Sequence, residues 1–176
     1  MAAKGFIELL RLSERGRRRQ QNTTSDENRW SGIAFEMMGQ YFVAPLGEVA
    51  EVLYVPKFTP VPKTHHWVKG LANIRGRLLS VVDLTAYISQ ERSKSTKNQK
   101  VICIQHKEHY SGVLVDQVFG IQHFNKISFF SKFSELQPNL EKYCKGYFYQ
   151  HNQRWHVFML SQLIQDQNYM IASAKN

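Results

Sequence analysis

Residues 67–84 read Trp67-Val-Lys-Gly-Leu-Ala-Asn-Ile-Arg-Gly-Arg-Leu-Leu-Ser-Val-Val-Asp-Leu84, and the reading of this stretch decides the fold. Two apolar runs, Leu71–Ile74 and Leu78–Val82, flank a tight Asn-Ile-Arg-Gly-Arg turn. Gly76 can supply the positive φ that a short hairpin turn demands. The spacing therefore predicts a β-hairpin with Arg75 and Arg77 at an exposed tip between buried strands. Asp83 then precedes Leu84-Thr85-Ala86-Tyr87-Ile88, an N-cap followed by one or two helical turns. A cation held on a rigid loop beside an apolar surface suits partner docking better than catalysis.

Working outward, the texture stays β-like. Ile33–Met37 and Gln40–Pro45 flank Met38-Gly39, a hairpin signal. Val49–Val55 forms a further strand with Glu51 set among apolar residues. Phe58–Pro62 carries two prolines and is restricted to an edge or extended segment. The stretch Pro60–Trp67 (PVPKTHHW) reads as a rigid connection that packs Trp67 on the barrel, with His65 and His66 beside it. Downstream, residues 89–99 are wholly polar and read as a surface loop. Val101–Gln105 and Tyr110–Val118 are the next strands, and 124–142 is irregular with one helical turn at most. Tyr147–Gln150 and Trp155–Leu160 flank a His151-Asn152-Gln153 turn, and Ser161 opens a last short helix. Leu79–Leu84 and Val157–Leu163 echo each other as buried strand, capping residue and helix. Many short strands separated by frequent turns specify an all-β sandwich or barrel. Two such units predict two small barrels that share an apolar interface.

The chain has 176 residues, of which 43% are hydrophobic. That is enough for one domain or two closely joined lobes without a disulfide or metal staple. Cys103 and Cys144 are the only cysteines and read as buried hydrophobes in a reducing compartment. No run approaches the length of a membrane span, and the N-terminus lacks the order of a signal peptide, so a cytoplasmic location is expected. The net charge is +9. Residues 1–29 hold seven Lys/Arg against four acids and read as a basic extension, with a short amphipathic helix over 5–20 and a polar linker. Such a balance suits an anionic partner. A small-barrel nucleic-acid-binding protein is the alternative it raises, although the aromatics lie within the apolar runs and are not interleaved with Lys/Arg as a stacking platform requires.

Catalytic chemistry finds no footing. Cys103, His106 and His109 have a ligand-like spacing, but Cys103 and His106 project to opposite faces of one strand, and no second cluster completes a tetrahedral set. There is no nucleophile elbow, Gly-rich phosphate loop or H-E-x-x-H. Asp83, Asp116 and Glu51 sit in separate runs, unpaired as acid and base. The expectation is a non-enzymatic protein with no cofactor and no metal.

The motifs V-A-E-V-L (49–53), P-V-P (60–62), W-V-K-G (67–70), N-I-R-G-R-L-L (73–79), V-V-D-L (81–84) and Y-S-G-V-L-V-D-Q-V (110–118) occur in order. Together they resemble the CheW-like domain of bacterial chemotaxis coupling proteins, over about residues 32–165. The basic N-terminal segment and the long loop are similar to the pilus-linked, twitching-motility (PilI-type) branch. The resemblance implies two intertwined five-stranded SH3-like barrels with a shared core, with an extension over 1–29, a CheW-like domain over 30–170 and a tail over 171–176. It also implies an adaptor that joins the cytoplasmic tip of a methyl-accepting chemoreceptor to the regulatory domain of a CheA-type histidine kinase. No nucleic acid is expected, and the membrane is met only through receptor arrays. By motif, Val49 and Glu51 fall on the strand lining the receptor groove, and Val113 on its opposing wall. Gly70, Asn73, Arg75 and Gly76 fall on the hairpin at the receptor and kinase-coupling surface. Three positions depart from the pattern: Ser80 for a usual Pro, His65-His66 for small or proline residues, and Ser161 for the Asp expected in the second strand–helix echo.

Overall fold

A computed structural model describes residues 28–91, 93–107, 109–132 and 136–171. The basic extension with its expected helix, and the tail after residue 171, lie outside the described residues. The first strands are Arg29–Met37 (β1), Gln40–Pro45 (β2), Glu51–Tyr54 (β3), Val68–Ile74 (β4) and Arg77–Asp83 (β5), followed by the helix Leu84–Ser89 (α1). Lys100–His106 (β6), His109–Val115 (β7), Gln117–Asn125 (β8) and Phe129–Phe130 (β9) lead to the single helical turn Pro138–Glu141 (α2). Cys144–Gln150 (β10), Gln153–Phe158 (β11) and the short helices Leu160–Leu163 (α3) and Gln167–Met170 (α4) complete it.

The expected hairpins form, and their turns share one backbone solution. Met38-Gly39, Arg75-Gly76 and His151-Asn152 all hold positive φ at both positions. This is the two-residue turn whose twist matches that of the flanking strands. The last turn is therefore one residue shorter than its sequence suggests, with Gln153 already in β11. The run Tyr110–Val118 is not one strand. It breaks at Asp116, whose Oδ2 accepts the Met38 N–H at 2.9 Å while its own N–H donates to the Glu36 carbonyl at 3.1 Å. The apolar pattern runs through the break, so only the tertiary contact reveals that β8 is a separate strand, paired along its length with β1.

The strands form two sheets, ordered β8-β1-β2-β11-β10-β9 and β3-β6-β7-β5-β4. The hairpin β1–β2 is inserted between β8 and β11, and the hairpin β6–β7 between β3 and β5, so each sheet combines segments that are distant in sequence. The sheets correspond strand for strand. Even β9 has its counterpart in the isolated bridge from Thr59 to Leu71, at the edge of the five-stranded sheet. Trp67-Val68-Lys69-Gly70 maps onto Tyr143-Cys144-Lys145-Gly146, and the offset holds through both hairpins. The Asp83 N–H donates to the Trp67 carbonyl and the Met159 N–H to the Tyr143 carbonyl, each at 2.8 Å. Ser161 is thus not the equivalent of Asp83; Met159 is. Asp83 caps α1 with its own carboxylate, accepting the Ala86 N–H at 3.0 Å, whereas Met159 offers α3 no side-chain cap.

Three apolar cores follow from strands buried on both faces. Trp30, Val43, Phe124, Phe148, Val157 and Met159 fill the six-stranded barrel, with Phe124 and Phe148 stacked at 4.9 Å. Ala72, Leu79, Val81, Val101, Cys103, Tyr110 and Leu114 fill the five-stranded one. The largest core draws Phe35, Phe42 and Phe158 from one sheet, Val82, Ile102 and Val113 from the other, and residues from all four helices. The two barrels therefore share a core, as expected. Trp67 joins it, with the His65 ring stacked against its indole at 4.1 Å.

The repeat also explains two glycines. A Cβ on Gly70 would stand 2.2 Å from the Thr59 carbonyl oxygen, and one on Gly146 would stand 2.3 Å from that of Phe130, both residues having φ above 130°. Gly76 has open space around the same position. Gly70→Ala and Gly146→Ala are each expected to destabilise by about 2–3 kcal/mol, against about 1 kcal/mol for Gly76→Ala. Urea denaturation of the three variants separates the two kinds of site.

Candidate partner-docking site

At one end of the five-stranded barrel the sequence-selected hairpin meets the start of β3. Glu51 pairs in register with Cys103 of β6, and Gln105 of β6 pairs with Tyr110 of β7. The β4–β5 turn then brings Arg75 to the Glu51 carboxylate. Arg75 donates to Oε2 of Glu51, and the Tyr110 hydroxyl donates to Oε1. Arg77 lies over the Tyr110 ring at 4.2 Å and donates to Gln105. Asn73 shapes the turn, its Oδ1 accepting the Gly76 N–H at 2.8 Å. The result is a continuous surface network, Arg75–Glu51–Tyr110–Arg77–Gln105, closing the end of a barrel core.

Its electrostatics follow from those contacts. The Tyr110 hydrogen bond, with Arg75 adding to it, holds the Glu51 carboxyl below its ordinary 4.5, over a smaller opposing effect of burial. Burial and the same carboxylate push the Tyr110 phenol well above the usual tyrosine range. Burial pushes the Cys103 thiol behind it up to about 11. Cys103 is therefore an inert part of the barrel wall. Two guanidinium groups face one carboxylate, and Arg75 keeps 75% of its side-chain surface open to solvent while paired. Exposed ion pairs of this kind contribute about 0.2–1 kcal/mol each, so the network orients its groups more than it stabilises the fold.

Of the seven residues singled out from the sequence, four meet here: Glu51, Asn73, Arg75 and Gly76. Val49 is half-buried before β3 and packs on the shared core. Gly70 is buried behind the Thr59 bridge. Val113 is fully buried in the shared core and presents no side chain to a partner; on β7 it alternates with Leu114, which faces the barrel interior. Tyr110 and Gln105 lie outside that selection, because their cross-strand pairing depends on a register that no local pattern reveals. Arg77 and Arg75 are both engaged, so the tip carries no uncommitted cation. His65 and His66 pack on Trp67, and His65 lines a cavity of about 670 Å³ with Tyr87 and Tyr143. Among the described residues no group of three or more His, Cys, Asp or Glu is gathered as for a metal.

The fold is thus a pair of interlocked small barrels with a polar network on one hairpin. The CheW-like domain family model matches residues 31–168, and the chain belongs to that family, in its PilI-type branch. It is 42% identical over 141 residues to Protein PilI of Pseudomonas aeruginosa, covering 80% of this chain and 79% of that protein. It is 32% identical to the chemotaxis protein CheW of Thermotoga maritima over 89 residues, 51% of this chain and 58% of that protein. The crystal structure of the scaffolding protein TtCheW from Thermoanaerobacter tengcongensis superposes with a TM-score of 0.64 at 17% identity, covering 73% of this chain and 88% of that one; that match bears on the fold alone.

Tyr110→Phe removes the principal hydrogen bond to Glu51 and should return its titration towards 4.5. A depressed carboxyl contributes stability above its unfolded value that is lost as pH falls through the folded one. The variant's acid unfolding limb should therefore lose part of its dependence below pH 4.5. Carboxyl-carbon NMR titration checks the shift directly, and an unchanged Glu51 curve contradicts the assignment.

Proposed function

We propose that the protein is a non-enzymatic adaptor that couples the cytoplasmic helical tip of a methyl-accepting chemoreceptor to the regulatory domain of a CheA-type histidine kinase. Its place in the PilI-type branch supports a role in a chemosensory pathway controlling type IV pili and twitching motility. The observation that carries the reading is the hairpin network on a family member's fold: Arg75 is presented on a rigid turn, open to solvent, and is paired with the half-buried Glu51 at the start of β3. A receptor helix would be held by a few anchors at helical spacing, and a rim of paired charges would set its register and exclude mismatched partners. We place the protein in the cytoplasm, reaching the membrane through the receptors it binds; among the described residues no helix is long and apolar enough to cross a bilayer.

Arg75→Glu sets two carboxylates against each other and should weaken binding of the kinase regulatory domain or the receptor tip by about three- to tenfold. Far-UV circular dichroism should be unchanged. Glu51→Arg in the same chain should recover part of the loss, since the pair is re-formed with reversed sign. Calorimetric titration of the wild type, each single variant and the double variant measures this. A wild type that binds neither partner overturns the function, and unaltered binding by Arg75→Glu overturns the site.

A further inference from the structure

One polar contact ties the linker between the two sheets, which leads from β2 of the six-stranded sheet to β3 of the five-stranded one, to the end of the six-stranded barrel, where β2 and β11 run parallel. Glu48 ends a 3-10 turn, Leu46–Glu48, and is followed at once by Val49 and then Glu51. Its carboxylate crosses to α3, where Oε2 accepts the Ser161 backbone N–H at 3.1 Å and Oε1 accepts the Ser161 hydroxyl at 2.6 Å. The two residues are 113 positions apart.

Two independent observations mark this contact as more than a surface hydrogen bond. First, α3 lacks a cap from its own N-cap residue, Met159, at the place where the equivalent Asp83 caps α1. The first turn of α3 leaves backbone N–H groups that need an acceptor, and Glu48 supplies it from the linker after the neighbouring strand β2. Second, the carboxylate is largely withdrawn from water, so that desolvation raises its pKa against the opposing effect of the Ser161 and Leu160 donors. A desolvated carboxylate depends on the partners it has, because losing one leaves it buried and unsatisfied. The pose of the 46–51 segment and the start of α3 are therefore fixed together.

We infer that Glu48 and Ser161 are positioning residues for the docking face: their contact sets where Val49 and Glu51 stand relative to the six-stranded barrel, and with that the affinity for the partner. This rests on the reading of the Glu51–Arg75 face as a docking site. Neither residue need touch the partner. The contact acts through the backbone: the segment is pinned to α3 at Glu48 and to β6 at Ala50, whose N–H donates to the Cys103 carbonyl at 2.8 Å, so releasing Glu48 frees one end of the entry to β3.

The test uses the full chain, with the kinase regulatory domain and the receptor tip as probes in calorimetry and amide hydrogen exchange as a readout that needs no partner. Ser161→Ala and Glu48→Ala should each lower affinity about three- to tenfold, the worth of one to two net hydrogen bonds. The double variant should fall no further than either single one. Glu48→Gln should restore near wild-type affinity, because its amide can accept from the Ser161 N–H and donate to its hydroxyl. Exchange at the Ala50 amide should accelerate in both alanine variants. Lower melting temperatures with unchanged affinity, or additive losses in the double variant, overturn the inference. If the wild type binds neither probe, the functional reading fails, and the exchange data still decide whether the contact positions the segment: unchanged protection at Ala50 overturns it.

Discussion

Phe35, Phe42, Ile102, Val113 and Phe158 are removed from solvent in the layer shared by the two sheets, and the hairpin that carries the Arg75–Glu51 network is held in place from there. Each barrel interior is small: among the described residues six buried side chains fill one and seven the other, too little apolar burial to offset the ordering of an isolated barrel's backbone. The shared layer is larger than both interiors together and is walled by α1–α4 as well as by the sheets. The barrels are thus interdependent for an energetic reason, and the exchange of hairpins between sheets enforces the same dependence through the chain itself.

Within that frame the two halves repeat the same backbone and differ in what their side chains are asked to do. The β4–β5 and β10–β11 hairpins have the same turn, the same glycine packed against a bridging carbonyl and the same helix after the second strand. One half caps its helix locally with Asp83; the other borrows Glu48 from the segment after the neighbouring strand β2. One half places Arg75 and Gly76 at its tip, the other His151 and Asn152. A repeated backbone with divergent tips gives one chain two ends of unlike chemistry on a single rigid support.

The fold was legible because its signals are local. A Gly-containing turn between apolar runs fixes a hairpin, and an Asp before a short amphipathic run fixes a cap, as Asp83 shows. What escaped is what long-range register decides. β8 was hidden in a continuous apolar run because Asp116 breaks it through contacts with Glu36 and Met38 rather than through its own conformational preference. Ser161 looked like the capping echo of Asp83 because serine is a good cap, and only the common bond from the strand end to the Trp67 and Tyr143 carbonyls sets the true alignment. The candidate docking face was half legible for the same reason. Arg75, Asn73 and Gly76 belong to one turn, whereas Tyr110 and Gln105 reach it only through the β6–β7 pairing. Val113 carries a motif position yet faces inward, because membership of a recognised strand says nothing about which side of it a residue occupies.

The same rigidity bears on how such a face works. Arg75 is already oriented before any partner arrives: its turn is held by the Asn73 side chain, and its guanidinium by Glu51, which Tyr110 holds in turn. Binding therefore loses little conformational entropy at this point, the cost that otherwise consumes much of the gain from a small interface. Yet the ion pair is solvent-exposed and weak, so a single contact of this kind cannot hold a partner for long. Those two properties together, preorganised and weak, suit a component whose contacts must re-form repeatedly. In the adaptor role proposed above, strength would then come from the number of contacts engaged at once, and an array in which each chain meets more than one neighbour would supply that number without any one contact becoming irreversible.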